Sequence, residues 1–340
     1  MATVLVTGIA GFIGFHLSRL LLQQGHSVIG IDAFTPYYDV TLKRRRAAIL
    51  EEFAECRIHE VALEEAGALD RVAAEGEPQI VIHLAAQPGV RYSLAHPRAY
   101  IEANLVGTFN ILEFARARRP QHLLVASTSS VYGANTKLPF DEGDPTDHPL
   151  TLYAATKKSC EVMAHSYSHL WGIPTTVFRF FTVYGPWGRP DMALFIFTER
   201  ILQGLPIDIH NHGNMQRDFT YVDDLVEAVA ELAHTAPPDP RGLEAATRPR
   251  DLDLSSDVAP FRIVNIGRSS PVGVMEFVDA IERCIGRPAA RNLIPMQPGE
   301  VERTFASTER LHRIVPMRQS TPIEVGVRRF VDWYRCYYGV

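Results

Sequence analysis

Cysteine is scarce in this 340-residue chain. Cys56, Cys160, Cys284 and Cys336 lie far apart and form no Cys-x-x-Cys pair. That excludes a disulfide scaffold and predicts free thiols in the cytoplasm, with no metal site. Basic excess is missing too. Lys plus Arg is 34 against 39 Asp plus Glu, a net charge of −5, which argues against a nucleic-acid partner. Charge is absent altogether from Met1 to Ser18. The stretch has no basic n-region, and Thr3, Thr7, His16 and Ser18 interrupt it, so neither a signal peptide nor a membrane anchor is expected. A buried strand followed by a packed helix accounts for it better.

Short apolar runs alternate with amphipathic stretches. Residues 3–6, 28–31, 80–84, 122–126 and 175–179 read as strands buried on both faces. Helical patterns lie at 11–24, around 100–118 and at 152–170. Continuous Val/Ile/Leu strands alternating with helices predict an α/β fold, a Rossmann-like doubly wound parallel sheet. The rhythm breaks after Gly185, where a smaller C-terminal substrate-binding lobe is expected. The N-terminal nucleotide-binding domain covers 1–180, with segments at about 215–235 and 262–268 returning to it. The lobe covers mainly 181–340. The Pro-rich stretch 236–260 reads as a flexible insertion, and 323–338 as an amphipathic helix.

Gly8-Ile9-Ala10-Gly11-Phe12-Ile13-Gly14 follows the first strand and opens a helix. Glycines there permit a tight turn and let backbone approach a pyrophosphate at a helix N-terminus. Phe12 and Ile13 share that turn. Asp32 ends the second strand, 18 residues after Gly14, where a carboxylate accepts both ribose hydroxyls and repels a 2′-phosphate. NAD is therefore expected rather than NADP. The run Lys43-Arg44-Arg45-Arg46 reads as a solvated helix face, with Lys43 near the cofactor phosphate. Leu84, Ala85 and Ala86 end a buried strand with small residues that let the cofactor lie close.

Tyr153 and Lys157 stand four apart on one helix face. A free phenol titrates near ~10; Lys157 and an oxidised nicotinamide both favour the phenolate, so Tyr153 is the candidate base. Ser127, Thr128, Ser129 and Ser130 end a buried strand 23 to 26 residues earlier and face the ligand crevice. Thr128 is placed to donate to the reacting oxygen.

With Thr7-Gly8-x-x-Gly11-Phe12-Ile13-Gly14, Ser130-Val131-Tyr132-Gly133 and Tyr153-x-x-x-Lys157, the chain resembles the extended short-chain dehydrogenase/reductases. More narrowly, it resembles the UDP-glucuronate 4-epimerases. Ala85-Ala86-Gln87, Gly89-Val90-Arg91-Tyr92-Ser93, the run Arg179 to Ala193, Arg217-Asp218-Phe219-Thr220-Tyr221 and Met296-Gln297-Pro298-Gly299 carry that likeness. The resemblance implies bound NAD, a UDP-hexuronate substrate and 4-epimerisation through a transient 4-keto sugar without net redox change. It makes Thr128, Tyr153 and Lys157 catalytic and adds Val61 and Phe180 to the cofactor site. It places Gln87, Ser129, Ser130, Thr182 and Arg189 around the sugar, with Arg189 holding the carboxylate by a bidentate fork. Arg217 would grip the diphosphate. Glu60 and Glu300 stand where the family usually has Asp, at the adenine and at the ribose or uridine. A UDP-hexose 4-epimerase and a UDP-glucuronate decarboxylase are the alternatives. Related decarboxylases carry Glu where this chain has Ser130, which favours the epimerase. The helices at 100–118 and 152–170 resemble those of a four-helix homodimer interface.

Overall fold

The computed structural model describes residues 1–73, 76–241, 254–316 and 319–340. Six strands come first: β1 (Thr3–Thr7), β2 (Ser27–Asp32), β3 (Cys56–Glu60), β4 (Ile80–His83), β5 (His122–Thr128) and β6 (Thr175–Phe180). With the later strand Phe261–Ile266 they form one sheet, in the order Phe261–Ile266, β6, β5, β4, β1, β2, β3. Every pairing is parallel. This is the expected Rossmann-like sheet. Sequence order reverses at β1, whose neighbours are β2 and β4, and a crevice opens at such a point.

The charge-free opening has a structural cause. Val4, Leu5 and Val6 are fully buried in mid-sheet, and helix α1 (Phe12–Gln23) buries Phe15, Leu17 and Leu21 completely. Each such side chain contributes about 1.5–3 kcal/mol on burial. On that side of the sheet α1 packs with helix Val222–Ala233. The opposite side is covered by helices Gly107–Arg118 and Leu152–Trp171. A third apolar cluster gathers later residues, among them Tyr184, Phe219, Phe277 and Phe330.

Two expectations are refined. The helix expected around 100–118 contains a π-helical turn, Ile101–Val106, between helices Pro97–Tyr100 and Gly107–Arg118. About half of the expected insertion, 242–253, lies outside the described residues. Its flanks are packed rather than loose: Ala259 is fully buried, His165 meets the Ser256 hydroxyl at 2.9 Å, and Arg241 donates to the His169 carbonyl at 3.1 Å.

Candidate active site

Parallel register brings the strand ends to one edge. Thr7 stands opposite Ile31 and His83, and Thr128 opposite Phe180. A cavity of about 710 Å³ opens there. Gly8, Gly11, Phe12, Ile13, Gly14, Asp32, Lys43, Val61, Leu84, Ala85, Ala86 and Phe180 line one end. Gln87, Thr128, Ser129, Ser130, Tyr153, Lys157, Thr182, Arg189, Arg217 and Glu300 line the rest. Of the residues expected at the site, only Glu60 is absent from the wall. It ends β3 on the surface, where its carboxylate pairs with Arg44 at 2.6 and 2.8 Å.

The glycine turn is bare backbone by necessity. Gly8 has φ +72°, and a Cβ there would sit 2.9 Å from the Ala85 nitrogen. A Cβ on Gly14 would sit 2.1 Å from the Gly8 carbonyl oxygen. This cradle, at the N-terminus of α1, fits a dinucleotide pyrophosphate. Asp32 is nearly buried, and its carboxylate accepts from the amides of Ala10 (3.1 Å) and Phe34 (2.8 Å). Each oxygen keeps a second lone pair for a ribose hydroxyl. Lys43 reaches Thr35, donating to its carbonyl at 2.9 Å; burial lowers its pKa and Asp32 opposes that.

The basic run departs from a solvated face. Arg46 is fully buried and donates to the carbonyls of Ala10 (2.9 Å), Trp187 (2.5 Å) and Gly188 (3.3 Å). It ties the glycine turn to the loop that carries Arg189. Only a long cation with several donors satisfies carbonyls on two separate loops.

Thr151 caps helix Leu152–Trp171, its hydroxyl accepting from the Ala154 amide at 3.2 Å. That sets Tyr153 and Lys157 on the cavity wall. Burial raises the Tyr153 pKa; the Thr128 hydroxyl and the Arg189 charge pull against it. Burial lowers that of Lys157, which is 3% exposed. Thr128 caps a short 3-10 helix, accepting from the Ser130 amide at 3.2 Å, while its hydroxyl faces that of Ser130 at 3.2 Å. Ser127 lines the cavity with the other hydroxyls, but its proton goes to Glu161 at 2.6 Å.

At the sugar end the Arg189 fork is not free. Its Nε and Nη2 donate to Asp191 at 2.9 and 2.6 Å. A bidentate hold on a substrate carboxylate through that edge is therefore excluded in this structure. Arg217 donates to the carbonyls of Gln216 (2.9 Å) and Glu302 (3.0 Å); burial lowers its pKa and Glu300 opposes that. Glu300 meets His210 at 2.7 Å and caps its own turn through the Gln297 amide at 3.1 Å, so its carboxylate is partly engaged. Asn104, in the π-helical turn, accepts from the Gln87 amide at 2.7 Å and donates to the Thr156 hydroxyl at 3.0 Å. It pins the loop after β4 to the helix of Tyr153.

Sequence reasoning gave no role to Asn104, Arg46, Asp191, Tyr37 or the Glu161–Arg179 pair. For Arg179 a signal existed, since a cation inside an apolar strand needs a buried partner.

A glycine cradle, an acid at the end of β2, and Thr128 at the end of β5 beside Tyr153 and Lys157 of the helix Leu152–Trp171 define a dinucleotide-dependent enzyme of the short-chain dehydrogenase type. The chain belongs to the NAD dependent epimerase/dehydratase family, whose model matches residues 4–241. It is 56% identical over 332 residues to a probable UDP-glucuronate 4-epimerase of Rhizobium meliloti, covering 97% of this chain and 96% of that one. It is 44% identical to UDP-glucuronate 4-epimerase 4 of Arabidopsis thaliana, over 99% of this chain and 76% of the relative. Its fold matches the crystal structure of UDP-glucuronic acid 4-epimerase from Bacillus cereus in complex with UDP-glucuronic acid and NAD. The TM-score is 0.86 at 29% identity, covering 99% and 100% of the two chains.

Proposed function

We propose that this protein interconverts UDP-glucuronic acid and UDP-galacturonic acid by inverting C4, with NAD as resident cofactor. The observation that carries this reading is one cavity wall holding Tyr153, Lys157 and Thr128 together with Arg189. The sequence relatives and the Bacillus cereus complex support it. NAD, when bound, supplies reversible hydride acceptance at the sugar carbon.

The chain's residues handle binding and protons. Gly8, Gly11, Phe12, Ile13 and Gly14 cradle the pyrophosphate, and Asp32 takes the adenosine ribose. Tyr153 removes the proton from the 4-hydroxyl and returns it. Thr128 donates to the same oxygen, and Lys157 supplies positive charge beneath the site. Ser129, Ser130 and Thr182 offer hydroxyls to the sugar. Arg189 binds its carboxylate through the Nη1 side left by Asp191, and Arg217 meets the diphosphate. Ser130 puts no carboxylate beside the reacting carbon, which disfavours decarboxylation. Later residues, among them Thr182, Arg189, Arg217 and Glu300, share the cavity wall with the glycine turn, and this supports a two-lobe organisation.

The test is incubation with UDP-glucuronate. UDP-galacturonate without net cofactor reduction is expected; stoichiometric UDP-pentose overturns the reading. Apolar side chains left outward support a homodimer: Leu94, Ile101, Phe109 and Val162 are 40–59% exposed. Light scattering tests it, and a monomer mass refutes it. Four free thiols support a cytoplasmic setting. No described helix is long and apolar enough to cross a membrane.

A further inference from the structure

We infer that Asp191, steadied by Tyr37, is a positioning residue that tempers the charge of Arg189. The sugar carboxylate is then held firmly enough to bind and loosely enough for the ring to turn over within the site. This rests on the reaction proposed above.

The geometry is a built cluster. Asp191 takes the Nε and Nη2 protons of Arg189, and the Tyr37 hydroxyl donates to Asp191 Oδ2 at 2.9 Å. All three residues line the cavity. Among the described residues, Arg189 Nη1 has no hydrogen-bond partner. The substrate therefore meets a guanidinium with one side spent and one side open. Tyr37 reaches this position because residue 89 is glycine: a Cβ there would sit 2.4 Å from the Tyr37 oxygen, and Gly89 has φ +98°. The loop after β4 is shaped to admit that hydroxyl.

The electrostatics agree. Burial pushes Asp191 up, but Arg189 and Tyr37 outweigh it and hold its pKa below the usual value. Asp191 thus stays ionised and the pair is neutral before substrate arrives. The Arg189 and Asp191 side chains are 21% and 29% exposed, so their charges act on each other with little solvent between them.

The chemistry gives the pair a use. Inverting C4 requires the 4-keto ring to show both faces to the same cofactor position. The C5 carboxylate must leave one location and take another. An uncompensated, half-buried guanidinium would bind that carboxylate strongly before the turn and raise the barrier to it, because ground-state binding that must be broken slows the step. A guanidinium half-neutralised by Asp191 does not trap it.

Asp191→Asn tests this, since the amide keeps the shape and one acceptor but loses the charge. With UDP-glucuronate, KM is expected to fall about threefold and kcat about tenfold, with affinity for UDP unchanged. Asp191→Ser should give the same two signs. A merely structural Asp191 would raise KM or weaken UDP as well, and either result overturns the role. A wild type that forms no UDP-galacturonate overturns the reaction and the role together. A wild type that forms it, beside a variant with unchanged constants, overturns the role alone.

Discussion

Arg179 and Glu161 form a two-point ion pair beneath the active site, Nε to Oε1 and Nη2 to Oε2 both at 2.9 Å, with each side chain 2% exposed. Arg179 comes from β6, and Glu161 from the helix that carries Tyr153 and Lys157. The pair fixes that helix against the sheet, and Ser127 completes the Glu161 shell. Arg179→Met strands a buried carboxylate and is expected to cost about 3–5 kcal/mol in denaturant unfolding. Pairing it with Glu161→Leu should recover most of that loss. A single variant as stable as the wild type would show that the pair does not hold the helix.

Tyr153→Phe removes the hydroxyl that exchanges the substrate proton. Turnover should drop by at least about 10²-fold, with UDP-sugar affinity nearly unchanged. Near-normal kcat would mean that another group is the base.

Arg189→Ala removes the cation at the sugar end and leaves Asp191 facing the substrate carboxylate. UDP-glucuronate should bind more weakly by about 1.5–3 kcal/mol. UDP should bind almost as before. Equal losses for both ligands in a titration would place Arg189 at the nucleotide instead.

Arg46→Met keeps the length of the side chain but leaves the Ala10, Trp187 and Gly188 carbonyls without their donor. Both the glycine turn and the Arg189 loop should loosen. Expected outcomes are a lower unfolding midpoint and less NAD retained through purification, read by absorbance of the released cofactor. Full NAD occupancy would separate Arg46 from the cofactor site.

His83 and His122 give stability a pH dependence. Burial pushes each pKa down to about 3. His83 sits between the Thr7 and Thr108 hydroxyls at 2.8 and 3.0 Å, and His122 between the Ala233 carbonyl and the Thr176 hydroxyl. Both stay neutral in the fold, whereas the unfolded chain protonates them below about 6.5. Stability is therefore full above that pH. It falls on acidification toward pH 3 by about 1.4 kcal/mol per unit for each histidine. Replacing either by Gln should flatten the slope of unfolding free energy against pH. An unchanged slope would show that the histidine is not the source.

Sheet, glycine turn and the Tyr153/Lys157 pair were legible in the sequence because each rests on local order. Buried parallel strands require unbroken apolar runs. A backbone cradle requires glycine at fixed intervals, and helical spacing alone puts residues four apart on one face. What stayed hidden joins distant segments. Glu60 stands at the expected strand end, yet its side chain goes to Arg44, because the strand register, not the neighbouring residues, decides which way it faces. The basic run looked uniform, although helix α2 (Val40–Glu51) turns Arg46 inward and leaves Arg44 outside.

The sequence by itself determined the class of site: a dinucleotide cradle, an acid for the ribose and a phenol beside an ammonium. Only the tertiary structure decided the charge state and freedom of those groups. Burial pushes the Tyr153 pKa up against Thr128 and Arg189, and Asp191, held by Tyr37, occupies one edge of the Arg189 guanidinium. Desolvation and pairing depend on what packs around a side chain. Tyr37 reaches Asp191 across 154 residues of chain, so no local pattern records that contact.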